Sequence, residues 1–303
     1  MKQLLQRLLR RATAQLSQQL DDTRVLLATA IVNQRAASLY PSLASAEFKV
    51  FSQFGDDGII QYLIAHVPLR ARRFVELGVE DYREANTRLL LLKDNWSGLV
   101  VDANAKHVQR IRKAPLYWRH DLTAVAAFLT VENVNKILAH ADYARDVDLL
   151  SIDIDGNDYW IWQALDSIQP VAIVVEYNSS FGAAATVTVP YDANFRRFDA
   201  HYSGLYWGAS LRALVELGED KGYAFVGCNS AGNNAYFVKH DAVGQLPVQT
   251  VEAGFVSARF RESRDRRGKL TFLREAERAR LLGPLPVVDL RTGETKAFAD
   301  VRA

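Results

Sequence analysis

Tyr223-Ala-Phe-Val-Gly227 and Ala235-Tyr-Phe-Val-Lys239, joined by the loop Cys228-Asn-Ser-Ala-Gly-Asn-Asn234, decide the fold. Both flanks are short runs of aromatic and small apolar residues, so each is expected as a strand. A link this short favours an antiparallel hairpin over a crossover. Just before it, Ser210–Lys221 reads as a helix that stops at Gly222. Further upstream, strand-like runs at Phe74–Val79, Gly98–Val101, Asp148–Ile154 and Val171–Tyr177 alternate with helical stretches, and a weaker strand is expected at Leu116–Trp118. Helices are expected at Asn86–Lys93, Ala124–Ala141 and Asp158–Leu165, the last with Trp160, Ile161 and Leu165 at helical spacing. The alternation specifies an α/β chain: a Rossmann-like, mostly parallel seven-stranded sheet with a C-terminal antiparallel hairpin.

Outward from this core, Lys2–Ala37 holds no Gly or Pro, and Leu5, Leu9, Ala12, Leu16 and Leu20 recur every three or four residues. This is an N-terminal helical extension, ended by Tyr40-Pro41-Ser42 and followed by a second helix over Asp57–Ala65. Three segments result: 1–46 helical, 47–241 the α/β domain, and 242–303 a C-terminal extension without a functional pattern. Within the extension, Arg259–Arg267 is dense in charge and reads as a solvated surface segment.

The 303 residues are 49% hydrophobic and 24% charged, the composition of a globular protein with a real core. A net charge of +2 and the lack of a basic face in the central region argue against a nucleic-acid partner. The single cysteine, Cys228, excludes an intramolecular disulfide framework and a Cys-rich zinc site; it is expected as a small buried strand residue and fits a reducing cytoplasm. No run reaches the roughly 18 apolar residues of a membrane span. Met1–Arg11 lacks the apolar core and cleavage site of a secretory signal. A transit peptide and a basic amphipathic helix both fit it. The helix would place a cytoplasmic protein at the inner membrane face or mediate dimerisation.

Ligands of an open parallel sheet bind beyond the carboxyl ends of its strands. There the chain offers Glu76-Leu77-Gly78, Asp102, His120-Asp121, Asp153-Ile154-Asp155 and Glu176-Tyr177-Asn178, so five consecutive expected strand ends carry an acid. Each acid alone is as readily a helix cap or turn former, Asp158 above all; the coincidence favours a ligand site. A dinucleotide glycine fingerprint is missing after Gly78, and there is no P-loop.

Ser52-Gln53-Phe54-Gly55-Asp56-Asp57-Gly58 resembles the S-Q-x-G-E-D-G element of FkbM-like methyltransferases, which use S-adenosylmethionine (SAM). Glu76 to Asn86-Thr87 is similar to that family's strand and x-N-T helix start. Ser151-Ile-Asp153-Ile-Asp155-Gly156 resembles its K-I-D-x-E-G element, with Ser for Lys and Asp for Glu. The resemblance spans about Phe51–Val238, and a parallel sheet closed by a hairpin is the SAM-methyltransferase arrangement. It implies SAM as cofactor, with contacts from Gln53, Glu76, Gly78, Asn86, Thr87, Asp102, Asp121 and Asp153. It further implies a hydroxyl on a sugar of a surface glycan or glycolipid precursor as acceptor.

Methyl transfer needs an aligned acceptor and a route for its proton. Asp153, Glu176 and Asn178 offer oxygen ligands for Mg²⁺, with Asp155 as a further donor or base. Alternatively His201, in the long connection after the fifth strand, is a base. That connection, Ser179–Gly208, is rich in Phe, Tyr and Trp, which suits either a binding loop or a small satellite core. Two other readings stay open: a methyltransferase for a small metabolite, and a non-catalytic interaction protein that has lost its cofactor.

Overall fold

The computed structural model describes residues 2–35, 39–259 and 261–301, with side chains from Gln15 onward. Seven strands form the main sheet: β1 (Arg73–Leu77), β2 (Ser97–Asp102), β3 (Leu122–Ala126), β4 (Leu149–Ile152), β5 (Ala172–Glu176), β7 (Tyr223–Cys228) and β8 (Asn234–Lys239). A short β6 (Val187–Thr188) lies between β5 and β7 in the chain. The order across the sheet is β3-β2-β1-β4-β5-β8-β7. β8 is antiparallel to both β5 and β7, so it alone runs against the other strands. The expected Rossmann-like sheet with its hairpin is therefore present.

Because side chains alternate across a strand, the apolar runs feed both faces. Val75, Leu77, Leu99, Val101 and Ile173 enter one core with the helices Val134–His140, Asp158–Ala164 and Leu211–Asp220. Phe74, Val100, Leu149 and Val174 enter the other with the helices Asp56–His66 and Arg88–Asp94. Trp162 is 1% exposed and packs on Phe237 with ring centroids 4.8 Å apart, so it is a core residue. Burying a side chain this large stabilises the fold by roughly 2–3 kcal/mol. Ser210 caps the Leu211–Asp220 helix by accepting from the Ala213 amide, and Gly222, at φ +85°, turns the chain into β7.

The third strand departs from expectation. Leu116–Trp118 lies in a short helix, Pro115–Arg119, because Pro115 sets its first turn and Trp118 faces solvent. The strand is instead Leu122–Ala126, where buried and half-buried residues alternate, and the expected long helix shrinks to Val134–His140.

The described residues after Asp241 carry regular structure of their own. β9 (Pro286–Asp289) and β10 (Glu294–Ala297) form a hairpin, and β9 pairs with β6. Phe181, Val187, Val189, Leu205 and Tyr206 of the long connection pack with Leu282, Val287 and Phe298 in a satellite core. The N-terminal helix runs over Lys2–Arg35; its expected continuation to Ala37, like Met1, lies outside the described residues. It docks through buried Ala28 against Phe51 and Leu89, and through an Asp21–Arg88 ion pair of 2.7 Å. Leu16, Leu20, Leu26 and Leu27 stay exposed. Among the described residues no helix is long and apolar enough to cross a membrane.

Candidate functional site

From β1 the chain builds the sheet outward through β2 and β3, then returns to place β4 and β5 on the other side of β1. The carboxyl ends of β1 and β4 therefore border the switch-point crevice. A cavity of about 580 Å³ opens there, within the roughly 300–1,000 Å³ of small-molecule sites. It is lined by Gln53, Glu76, Gly78, Asn86, Asp102, Asp153, Asp155 and Glu176, all singled out in the sequence.

The loop after β1 is shaped by close approach. Gly78 sits at φ +82°, and a Cβ there would lie 1.7 Å from the Asp153 carbonyl oxygen. Glu76, 3% exposed, holds the far side of this loop. Its Oε1 accepts from the Asn86 amide at 2.8 Å; its Oε2 accepts from the Thr87 amide at 3.0 Å and the Thr87 hydroxyl at 2.5 Å. Burial pushes its pKa up to about 7 despite these donors. Thr87 thus works behind the wall, fully buried, while Asn86 lines the cavity and donates to Ser151 Oγ. Asp102 spans the loops after β1 and β2, accepting from the Glu80 amide and the Asn104 amide, each at 2.8 Å.

Across the cavity stand the remaining acids. The carboxylate oxygens of Asp153, Asp155 and Glu176 lie within 4.8 Å of one another. Burial, followed by the neighbouring acids, holds Asp153 and Glu176 well above the ordinary carboxyl range. Glu176 Oε2 is buried without a donor from the protein, and a proton shared with Asp153 would satisfy it. Asp158 is fully buried beneath them, accepting from the Ile154 and Gly156 amides. It shapes the loop after β4, as a turn former would, with a pKa lifted by burial to about 6.

Arg197 counters this negative charge. Its Nη1 meets Asp155 Oδ1 at 2.6 Å, its Nε donates to the Gly204 carbonyl at 2.7 Å, and it lies 4.9 Å over the Trp207 ring. Burial works against its charge, but Asp155 and Glu176 outweigh it and hold the guanidinium pKa above its usual value.

Besides Thr87, three expected site residues lie outside the cavity. Asp121 precedes β3 instead of following it, so it sits at the amino end of the sheet, bonded to Ser97 Oγ at 2.6 Å. Asn178 does not line the cavity: its amide nitrogen donates to the Leu205 and Trp207 carbonyls, and its Oδ1 caps the turn at Ser180. Asp155 takes its place in the acidic trio. His201 does not line the cavity; its Nδ1 pairs with Ser203 Oγ at 2.7 Å. Burial and then Arg266 hold this imidazole below its usual pKa.

Other lining residues carried little signal in the sequence: Phe195, Arg197, Phe198, Asn233, Asn234, Glu262 and Arg264. Arg197 had the best chance, as one of two adjacent arginines in an aromatic segment that follows a series of acids. Glu262 and Arg264 belong to the charge-dense stretch expected to be mere solvated surface. The resembling Ser52–Gly58 element is mostly scaffold. Asp57 Oδ2 accepts from the Val50, Phe51 and Ser52 amides, and Asp56 Oδ1 from Asn229, Asn234 and Tyr236.

Fold and cavity define a Rossmann-like α/β protein with an acidic site at the switch point of its sheet. No family model and no curated protein matches the chain. Among solved structures it is similar to an O-methyltransferase from Bacillus cereus in complex with S-adenosylhomocysteine (SAH), at 16% identity and a TM-score of 0.40, covering 71% of this chain and 89% of that one. It is also similar to the N-terminal domain of EvdMO1 in the presence of SAH and D-fucose (13%, TM-score 0.38, 68% and 92%). A third is a SAM-dependent methyltransferase from Clostridium acetobutylicum (10%, TM-score 0.39, 61% and 90%). Scores this low carry no functional weight, which rests on the residues of the cavity.

Proposed function

We propose that this protein is a SAM-dependent methyltransferase that methylates a hydroxyl of a sugar in a glycan or glycosylated precursor. The observation that carries the reading is the meeting of Gly78 and Asp102 in one switch-point cavity, opposite Asp153 and the buried Glu176. Bound SAM would supply an electrophilic methyl group on a positively charged sulfonium. Gly78 leaves room for the methionine portion to approach the backbone. Asp102 still has lone pairs for ribose hydroxyls after serving two amides. Gln53 and Asn86 add polar wall, and the carboxyl of Asp153 suits an ammonium group.

The acceptor proton goes to the acidic trio. A carboxyl with a raised pKa is a more effective base near neutral pH than an ordinary one. Asp153 and Glu176 both have pKa values raised by burial and by the neighbouring acids, and Arg197 counters that rise. Phe195 and Phe198 give the wall apolar ring faces that suit a pyranose. A second reading is favoured by the trio's spacing and the donorless Glu176 oxygen: Asp153, Asp155 and Glu176 would hold Mg²⁺, which would acidify and orient the acceptor hydroxyl. The exposed leucines of the N-terminal helix support docking at an inner membrane face or on a second copy. The test is transfer of isotopically labelled methyl from SAM to a panel of glycosides and nucleotide sugars. Label in a sugar hydroxyl supports the reading; SAH binding with no transfer to any member of the panel would remove the sugar acceptor.

A further inference from the structure

The stretch from Arg259 to Arg274 carries seven Arg or Lys against two acids, in a chain whose net charge is +2. Within it, residues 264–270 form a small hairpin beside the cavity, closed by the Arg264–Leu270 bridge, with Gly268 at φ +77° in its turn. Both acids are already engaged. Asp265 Oδ1 accepts from the Arg267 and Lys269 amides at 2.8 and 2.9 Å, and Glu262 pairs with Arg264 at 2.8 Å.

Arg264 is a fixed strut. Its amide donates to the Ser203 carbonyl at 3.1 Å, its Nη1 to the Gly268 carbonyl at 3.2 Å, and its guanidinium lies 5.6 Å over Phe198. On one side it lines the main cavity. On the other it lines a second hollow of about 440 Å³ with Tyr202, Asp265, Arg266, Arg267 and Thr271. Arg266 is stacked 4.8 Å over the Tyr202 ring. Among the described residues neither Arg266 nor Arg267 has a carboxylate within ion-pair distance. Guanidinium groups gathered in a concavity, with the local acids occupied, favour a multivalent oxyanion.

We propose that this second hollow binds a phosphate or diphosphate group on the acceptor, while the sugar reaches the main cavity past Arg264. The proposal rests on the methyltransferase reading for its acceptor, and the hollow's affinity can be tested separately. The probe is inorganic pyrophosphate, titrated calorimetrically into the full chain and into the double variant Arg266→Ala/Arg267→Ala, with SAH titrated into the same preparations. The expected result is saturable pyrophosphate binding that weakens at least about 10-fold in the double variant while SAH affinity stays unchanged. Arg266→Lys/Arg267→Lys should retain part of the binding. No saturable pyrophosphate binding, or equal binding by the alanine variant, overturns the proposal. Failure of SAH to bind the wild type would sink the methyltransferase reading while leaving the pyrophosphate result to decide the hollow. Displacement of pyrophosphate by a nucleoside diphosphate sugar points to a soluble source, and displacement by a polyprenyl diphosphate in phosphatidylcholine vesicles to a lipid one. Displacement by neither overturns the assignment to an acceptor.

Discussion

Arg197 Nη1 stands 2.6 Å from Asp155 Oδ1, and this contact ties the connection after β5 to the loop after β4 at the cavity. Asp155 is held at φ +59°, a backbone region that a non-glycine residue enters at a cost of order 1 kcal/mol. Arg197→Ala should lower methyl transfer by about 10-fold or more, because the Asp153–Glu176 pair loses its nearest cation. Asp155 is more than half exposed, so the ion pair itself should account for no more than about 1 kcal/mol of any stability loss, the rest coming from the Gly204 bond and the Trp207 stack. Single-turnover transfer and urea melts separate the two effects. A large stability loss with an unchanged rate would make the pair structural.

Gly78→Ala tests the loop. The added methyl would meet the Asp153 carbonyl and require φ +82° of an alanine, so a loss of at least about 1 kcal/mol is expected, along with SAH affinity. A variant with wild-type melting and wild-type SAH binding would show that the approach is not needed.

The buried acids set a direction for stability against pH. Glu76 is lifted from 4.5 to about 7, so the folded chain keeps a proton that the unfolded chain has released in between. Its contribution is complete below about pH 4.5 and is lost as pH rises through about 7, a change on the order of 3 kcal/mol. Asp158, lifted to about 6, acts in the same sense. Unfolding free energy should therefore fall as pH rises from about 5 to 7, and Glu76→Gln should flatten that slope even if its overall stability is lower. Equal slopes in wild type and variant would contradict the assignment.

Mg²⁺ offers a check on the trio. If it binds Asp153, Asp155 and Glu176, millimolar Mg²⁺ should raise the melting midpoint of the wild type and leave that of Glu176→Gln unmoved. No shift in either protein would leave the charge balance to Arg197 alone.

How much of this was legible in the sequence depended on the element. β1, β2, β4 and β5 are dense apolar runs buried on both faces, so their carboxyl ends, and with them Glu76, Asp102, Asp153 and Glu176, could be placed in advance. β3 is Leu-Thr-Ala-Val-Ala, too weakly patterned to outweigh the aromatic run before it, and the slip carried Asp121 to the wrong end of the sheet. Asn178 and His201 have suitable chemistry, but contacts remote in the chain or set by local turns direct them elsewhere. Arg197 and Arg264 are fixed at the site by partners remote in the chain, Arg197 by Asp155 and Arg264 by the Ser203 carbonyl. No local periodicity encodes such a pairing.

The most direct test of the central claim is calorimetric titration of SAH into the wild type and into Asp102→Ala. The expected result is saturable binding by the wild type, weakened at least about 10-fold in the variant, a loss of about 1.4 kcal/mol. The absence of saturable heat from the wild type at millimolar SAH would contradict the claim that this cavity binds the methyl donor.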